Sequence, residues 1–521
     1  MQRRLLLIAI PAAVLALAAG LIASSDGHNE GAHAAALVDP GGKPGPVPRK
    51  PNVVMIIMDE FPGDSLLAPN RRVDPVRYPN LAALAGNSTW FPNAFTRYDS
   101  TPKAVPLIMD GRRPFKGEAA DPRDHPRTIF DMFGRRGYSI HSSEEATAIC
   151  PRRWCRHARS RRPGIVRHLN RGRRERLEGF FASIRPGRRP GFWLKHVLLP
   201  HGPYLFLPSG AQARGGVRDL VPGMNGPPGF HDRFLTQHNY QRYLLQLGFV
   251  DRELGMLFRR LIRLGMFDST MIVLVADHGF SWEVGVKDRR RVNGHNVDEI
   301  GTIPLFIKAP GQRRGRINRS YVSSLDVTPT VADVLNFRLP YRAAGRSAYS
   351  RAVRRRRVVS LPTRDFSRTI RIGARRYEAR RRHNVARRLA LFGSGPWASL
   401  YTRIGPHRAL VGRTVSSLRQ GAASALRGRI RGAGSFAQVT SRRVPNEIVG
   451  DLRGGRRGGR HDVAVAVNGV IQAVGRTWYL RGRGGEHFAL NVPESSLRRG
   501  ANSIQVFQVT RGGTLRRAAR T

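Results

Sequence analysis

The run Val53-Val54-Met55-Ile56-Ile57-Met58 is continuously apolar, of strand length and without polar alternation. That texture predicts a strand buried on both faces, as in a parallel sheet. Met271 to Ala276 repeats it, and Pro304-Leu305-Phe306-Ile307-Lys308 predicts a shorter strand. Between these strands the period changes. Leu244, Leu247, Val250, Leu254, Leu257 and Leu261 recur at helical spacing, which predicts a helix over 237–264 stopped by Gly265. A further helix is predicted over 327–335, behind an Asp326 cap. Strands alternating with helices predict an α/β domain, a mostly parallel sheet sandwiched by helices, over 52–360.

The pattern shifts after Ser360. Gly and Arg dominate, helical periodicity thins, and short alternating runs appear at Asp462 to Val467 and Asn502 to Val509. Asn468-Gly469 between two such runs is a hairpin signal. Residues 430–521 therefore read as a small all-β domain of sandwich type. The stretch 361–429 is either an extension of the sheet or a basic connector.

The amino terminus has a third texture. Arg3 and Arg4 precede Leu5 to Ile22, an apolar run broken only by Pro11 and Gly20. Its length lies between a signal peptide and a spanning helix, and the flanking charge keeps the terminus inside. Residues 1–27 thus read as a signal peptide or single membrane anchor and 28–51 as a Pro/Gly linker. The bulk of the chain is expected outside the cytoplasm. In that setting Cys150 and Cys155, the only cysteines, are expected to form a disulfide.

Charge changes this picture less than its size suggests. The 521 residues carry 89 basic and 36 acidic side chains, a formal +53. Such a balance calls for anionic partners. Only 7 of the basic residues are Lys, and Arg with abundant Ala and Gly is also what a GC-rich genome writes. Export and the absence of any nucleic-acid motif argue against nucleic acid as the partner.

In an open parallel sheet, ligands gather at the carboxyl ends of the strands. Two predicted strands end in acids, one in Asp59-Glu60 and the other in Asp277-His278-Gly279. Either acid alone would read as a helix cap after a βα turn. Both together point to a divalent-metal site of Asp59, Asp277 and His278. Thr101 is expected as the N-cap of a helix with Pro102 in its first position. There a hydroxyl faces free N–H groups and the positive end of the dipole, a place that stabilises a transferring phosphate or sulfate.

These residues resemble the sulfatases and their relatives in the alkaline phosphatase superfamily. Pro51 to Glu60 looks like the family's opening strand. Lys195 to Tyr204 looks like its segment with a His before Pro, and Val275-Ala276-Asp277-His278-Gly279 like its second metal strand. Ile303 to Gly311 and Asp326 to Thr330 look like its late landmarks. The set is ordered and covers about 50–345. Counting back ten residues from Gly111 to the family's nucleophile position lands on Thr101, where sulfatases carry a modified Cys or Ser.

The resemblance implies that Asp59, Asp277, His278 and Thr101 hold one or two divalent ions, and that Thr101 is the nucleophile. It makes His201 the group that contacts the transferring group or protonates the leaving oxygen. Glu60, His295 and Asn296 are secondary candidates. Asp251 and His196 read as structural, and Asp64 as a solvated surface acid. The oxygen-rich shell with imidazole suits Mn or Zn better than Ca. Thr cannot become the formylglycine of sulfatases. It resembles instead the phosphotransferase branch of lipoteichoic acid synthases and phosphoglycerol transferases. The expected activity is a metal-dependent hydrolase or transferase acting on a phosphoester, sulfate ester being second. The expected substrate is an anionic lipid or cell-envelope polymer, with the membrane met through the amino terminus. The alternative is a catalytically idle relative that binds anionic envelope polymers.

Overall fold

The computed structural model describes residues 46–155, 168–169, 171–213, 232–285, 288–455, 458–480 and 483–520. The amino-terminal apolar run, and the signal or anchor reading built on it, lie outside the described residues. Among the described residues no helix is long and apolar enough to cross a membrane.

The central sheet is built around β1 (Val53–Asp59), every residue of which is buried. β4 (Gly191–Pro200) and β5 (Met271–Ala276) flank it, both parallel to it. β3 (Ser139–Glu144) extends the β4 side in parallel. Beyond β5 the order continues with β6 (Leu305–Lys308), β2 (Thr89–Trp90) and β7 (Arg316–Ile317). β6 runs antiparallel to both of its neighbours, so the sheet is mostly but not wholly parallel. β4 is buried along all ten residues although it contains Lys195 and His196. Lys195 is accommodated because its Nζ reaches Glu145 Oε1 at 2.6 Å and Ser143 Oγ at 2.9 Å.

The long helix spans Arg233–Arg263 and starts earlier than its apolar spacing implies. Its first turn is fixed by Asp232, whose side chain accepts the Leu235 N–H at 2.9 Å, a capping signal that carries no hydrophobic period. Asp251, midway along it, accepts the N–H groups of Leu81 and Asn80 at 2.7 and 3.2 Å and the Asn80 amide at 2.9 Å. It thus satisfies the amino end of the Pro79–Asn87 helix, a structural role, and burial pushes its carboxyl up to about 7. Asp326 precedes the Val327–Val334 helix but does not cap it with its side chain. Its carboxylate accepts the Ser323 N–H at 2.7 Å and binds Arg356 at 2.5 Å.

The stretch 361–429, expected as a sheet extension or a basic connector, adds no strand to the central sheet among the described residues. β8 (Val358–Pro362) and β9 (Thr369–Gly373) form a separate hairpin. The Ala374–Phe392 helix then packs back on the central fold. Its buried Arg381 binds Asp64 at 2.7 Å and Asn93 at 2.7 Å, so Asp64 is paired, not a solvated acid.

The carboxyl-terminal domain is all β. Its strands are β10 (Ser424–Ile430), β11 (Glu447–Arg453), β12 (Asp462–Val467), β13 (Val470–Arg476), β14 (Trp478–Leu480), β15 (Arg483–Asn491), β16 (Ile504–Val509) and β17 (Leu515–Arg520). They form one eight-stranded sheet, ordered β13-β12-β16-β17-β10-β11-β15-β14, which curls until β13 meets β15. Asn468 and Gly469 make the β12–β13 turn with φ of 50° and 82°, the left-handed values of a tight hairpin. Cys150 and Cys155 form the expected disulfide, with their Cα atoms 6.0 Å apart.

Candidate active site

Because β1 and β5 are parallel and adjacent, with Met58 opposite Ala276, their carboxyl ends deliver Asp59 and Asp277 side by side. The backbone turns sharply at both exits. The N–H groups of His278 and Glu60 both donate to Asp277 Oδ1, at 2.6 and 3.2 Å. His278 is oriented by a contact of Nδ1 with the Gly279 carbonyl at 2.8 Å, which turns Nε2 inward.

Thr101 arrives from a third element, the Thr101–Asp110 helix. Its N-cap is Ser100, with extended φ and ψ of −150° and 139°, so Thr101 is the first helical residue and not the cap. Pro102 therefore stands in the second position, where a missing N–H is still harmless. The Thr101 hydroxyl lies 3.4 Å from Asp59 Oδ1 and 3.4 Å from His278 Nε2. All four expected residues thus meet, and all are buried.

A fifth residue joins them. His196, in register with Ile57 on β4, places a ring nitrogen within 4.8 Å of carboxylate oxygens of both Asp59 and Asp277. Neither of its ring nitrogens has a hydrogen-bond partner among the described residues. A buried imidazole without partners is costly unless something else occupies its lone pair. Burial drives its ring down to about 3, so it is neutral, the form that ligates a metal. Burial, followed by the charge of Asp277, raises Asp59 well above the usual carboxylate range, and burial raises Asp277 to about 7. Two buried carboxylates facing an unpartnered imidazole and a hydroxyl are a donor set that a divalent cation fits.

Glu60 points away from this cluster. Its backbone φ is 55°, and its buried carboxylate meets Arg289 at 2.8 Å, His201 Nε2 at 3.4 Å and Arg290 at 3.5 Å. Burial alone would raise its pKa, but Arg289, then His201 and Arg290, hold it at about 2. Burial takes His201 the other way, down to about 4, and leaves its ring neutral beside Arg290. Asn296 is buried and accepts the Asn293 N–H at 2.8 Å while donating to the Arg291 carbonyl at 3.1 Å. His295 beside it is exposed. Among the described residues no hydrogen bond joins either one to the Asp59 cluster.

Sequence reasoning set aside His196 and passed over Arg289 and Arg290. A histidine in the mostly apolar strand next to β1 was the available signal for the first. The arginines lie in a run, Arg289-Arg290-Arg291, that reads as solvated charge until Glu60 is seen beneath it.

The protein-family model described as Sulfatase matches residues 51–337, more than half of the chain and all of the elements that build this cluster. The chain belongs to the sulfatase family. Family membership makes it a sulfuric- or phosphoric-ester hydrolase. Choline-sulfatase of Rhizobium meliloti (strain 1021) is 24% identical over 357 residues, which are 56% of this chain and 68% of that protein. The multifunctional alkaline phosphatase superfamily protein PehA of Trinickia caryophylli is 35% identical over 100 residues, 19% of each chain. Lipoteichoic acid synthase 1 of Bacillus subtilis (strain 168) is 26% identical over 94 residues, 17% of this chain and 15% of that one. The last two matches therefore cover under a fifth of those two proteins. Phosphonate monoester hydrolase of Agrobacterium radiobacter, a solved structure, aligns over 63% of this chain and 83% of its own at 18% identity, with a TM-score of 0.46.

Proposed function

We propose that this sulfatase-family chain is a metal-dependent phosphoester hydrolase or transferase whose nucleophile is Thr101. The observation that carries the reading is the Thr101 hydroxyl, 3.4 Å from both Asp59 Oδ1 and His278 Nε2 at the start of a helix. Asp59, Asp277, His278 and Thr101 would hold the cation, with His196 as a further ligand. A bound divalent ion lowers the pKa of a hydroxyl and offsets charge on the transferring group.

In the first step a Thr101 Oγ1–P bond forms and the bond from phosphorus to the leaving oxygen breaks. The hydroxyl proton ends on the leaving oxygen. In the second step the oxygen of water, or of an acceptor alcohol, replaces Thr101 Oγ1, which regains a proton. The helix start supplies dipole and N–H groups for the transferring group. Arg290, half-exposed above Glu60 and His201, would grip a non-bridging oxygen. The threonine favours phosphoesters over sulfate esters, because it cannot be oxidised to the aldehyde that sulfatases use. We place the work outside the cytoplasm on the strength of Arg3-Arg4, the Leu5 to Ile22 run and the disulfide. An anionic lipid or polymer of the envelope is then the natural substrate class.

The test is turnover of chromogenic phosphomonoester, phosphodiester and sulfate-ester substrates with the divalent metal varied, for the natural sequence and Thr101→Ala. Phosphoester turnover should vanish on chelation, return with one metal, and fall about a thousandfold or more in Thr101→Ala, which should still bind metal. Undiminished phosphodiester turnover in that variant would eliminate Thr101 as nucleophile. A purified protein that holds no divalent ion and turns over none of the three esters would overturn the whole reading.

A further inference from the structure

Arg97 lies on the segment that leads into the Thr101–Asp110 helix, and its surroundings are unusually cationic. One arm of its guanidinium donates to Ser360 Oγ on β8. Ser360 is in register with Arg371 on β9, so Arg371 projects from the neighbouring position of that hairpin. Arg356 lies at the start of the hairpin and stacks over the Phe95 ring, 5.8 Å away. Arg113, beyond the end of the same helix, completes the group that acts on Arg97. Asp326 also acts on Arg97, and it is already occupied by Arg356 at 2.5 Å.

The carboxylate that faces Arg97 thus already has a partner. Arg97 Nε is buried and has no hydrogen-bond partner, while Arg113 and Arg371 are exposed with no side-chain partner among the described residues. Burial, then repulsion from Arg113, Arg356 and Arg371, pulls the Arg97 guanidinium down to about 10. Composition alone can scatter arginines over a surface. It does not explain why several are gathered around a buried, unfilled donor, an arrangement that repels itself until an anion enters.

We infer that Arg97, Arg113, Arg356 and Arg371 form a second anion site, which holds a sulfate or phosphate group of the substrate other than the one that reacts. The guanidinium forks suit a tetrahedral oxyanion. The assignment of that anion to the substrate rests on the hydrolase or transferase reading above; the binding of an oxyanion does not. The substrate class that follows is a polyanion carrying several sulfate or phosphate groups.

The test uses the full-length chain in two backgrounds. In Thr101→Ala, thermal protection by inorganic sulfate and by inorganic phosphate is titrated at constant ionic strength, with and without the pair Arg113→Ala and Arg371→Ala. The pair should raise the concentration needed for half-protection about tenfold. Coincident titrations would overturn the site. In the otherwise natural sequence, the pair should leave turnover of a small chromogenic ester unchanged and weaken inhibition by dextran sulfate about tenfold. Unchanged inhibition would overturn the role in substrate binding and leave a site for free oxyanions. If the natural sequence turns over no ester, the functional reading fails, and the protection titrations still decide the site.

Discussion

At the scale of the single residue, the site depends on charges that are satisfied below the reacting surface. Glu145 shows this. It is 3% exposed and accepts Lys195 Nζ at 2.6 Å, Arg176 Nε at 3.1 Å and the Leu198 N–H at 3.2 Å. These contacts pin the end of β4, the strand that carries His196 to the cluster and leads to His201. Burial would raise the Glu145 pKa, but Lys195 and then Arg176 bring it down to about 2. A folded-state value below the unfolded one stabilises above the unfolded pKa, and that contribution is lost as the pH falls. The window here is roughly pH 4.5 to 2, and the contribution is about 3 kcal/mol. Glu145→Gln should therefore lower stability in urea at pH 7 by about 3 kcal/mol, and its deficit relative to the natural sequence should close as the pH approaches 2. A deficit that stays constant down to pH 2 would show that the charge of Glu145 is not what holds β4.

At the scale of the element, the site is made by chain exits, and these must pass close to one another. Gly279 follows the Asp277-His278 pair, and a Cβ placed on it would come within 2.4 Å of the Glu299 carbonyl oxygen and 3.1 Å of the Ile300 carbonyl oxygen. Its N–H donates to Ile300 O at 2.8 Å, so the two segments cannot separate without losing that bond. Gly279→Ala should displace His278, with turnover falling about a hundredfold and stability falling by about 1–3 kcal/mol. Alanine at 279 with normal turnover would mean that His278 tolerates a shift the proposed chemistry does not allow. This crowding was not legible in the sequence, whereas the acids it positions were. Asp59 and Asp277 stood out because each ends a continuous apolar run, and parallel strands bring such ends together. The hairpin at Asn468-Gly469 was legible for a similar reason, since its turn chemistry is local. The cap of the Thr101–Asp110 helix was misplaced by one residue because Ser100 and Thr101 are both good caps. The fate of the stretch after Ser360 was hidden for a different reason. Its helix is anchored by Arg381 on Asp64 and Asn93, nearly three hundred residues upstream or more, and such pairings leave no period to read.

At the scale of the whole molecule, the carboxyl-terminal sheet and the central fold share a buried polar seam. Glu447, on β11, accepts His238 Nε2 at 2.8 Å and Arg242 Nη1 at 3.1 Å, both from the long helix. Beside them Asn491, on β15, donates to Gln241 at 2.7 Å. The same helix face controls the loop that carries His201. Arg242 donates to the Tyr204 carbonyl, and Gln246 donates to the carbonyls of Pro200 and His201 at 2.9 and 3.0 Å. A charge contributed by the β domain therefore sets the position of Arg242, and Arg242 holds the loop that ends beside Glu60 and Arg290. Breaking a buried ion pair from one side costs about 3–5 kcal/mol, because the partner's charge is left behind. Glu447→Gln should show that loss in urea denaturation. It should also reduce phosphoester kcat while leaving metal content unchanged, because Asp59 ends β1 and Asp277 and His278 directly follow β5, strands with no hydrogen bond to the seam among the described residues. An equal loss of stability with unaltered kcat would reduce the β domain to a packing module. A fall in both would make it part of the machinery that positions His201, some 250 residues earlier in the chain.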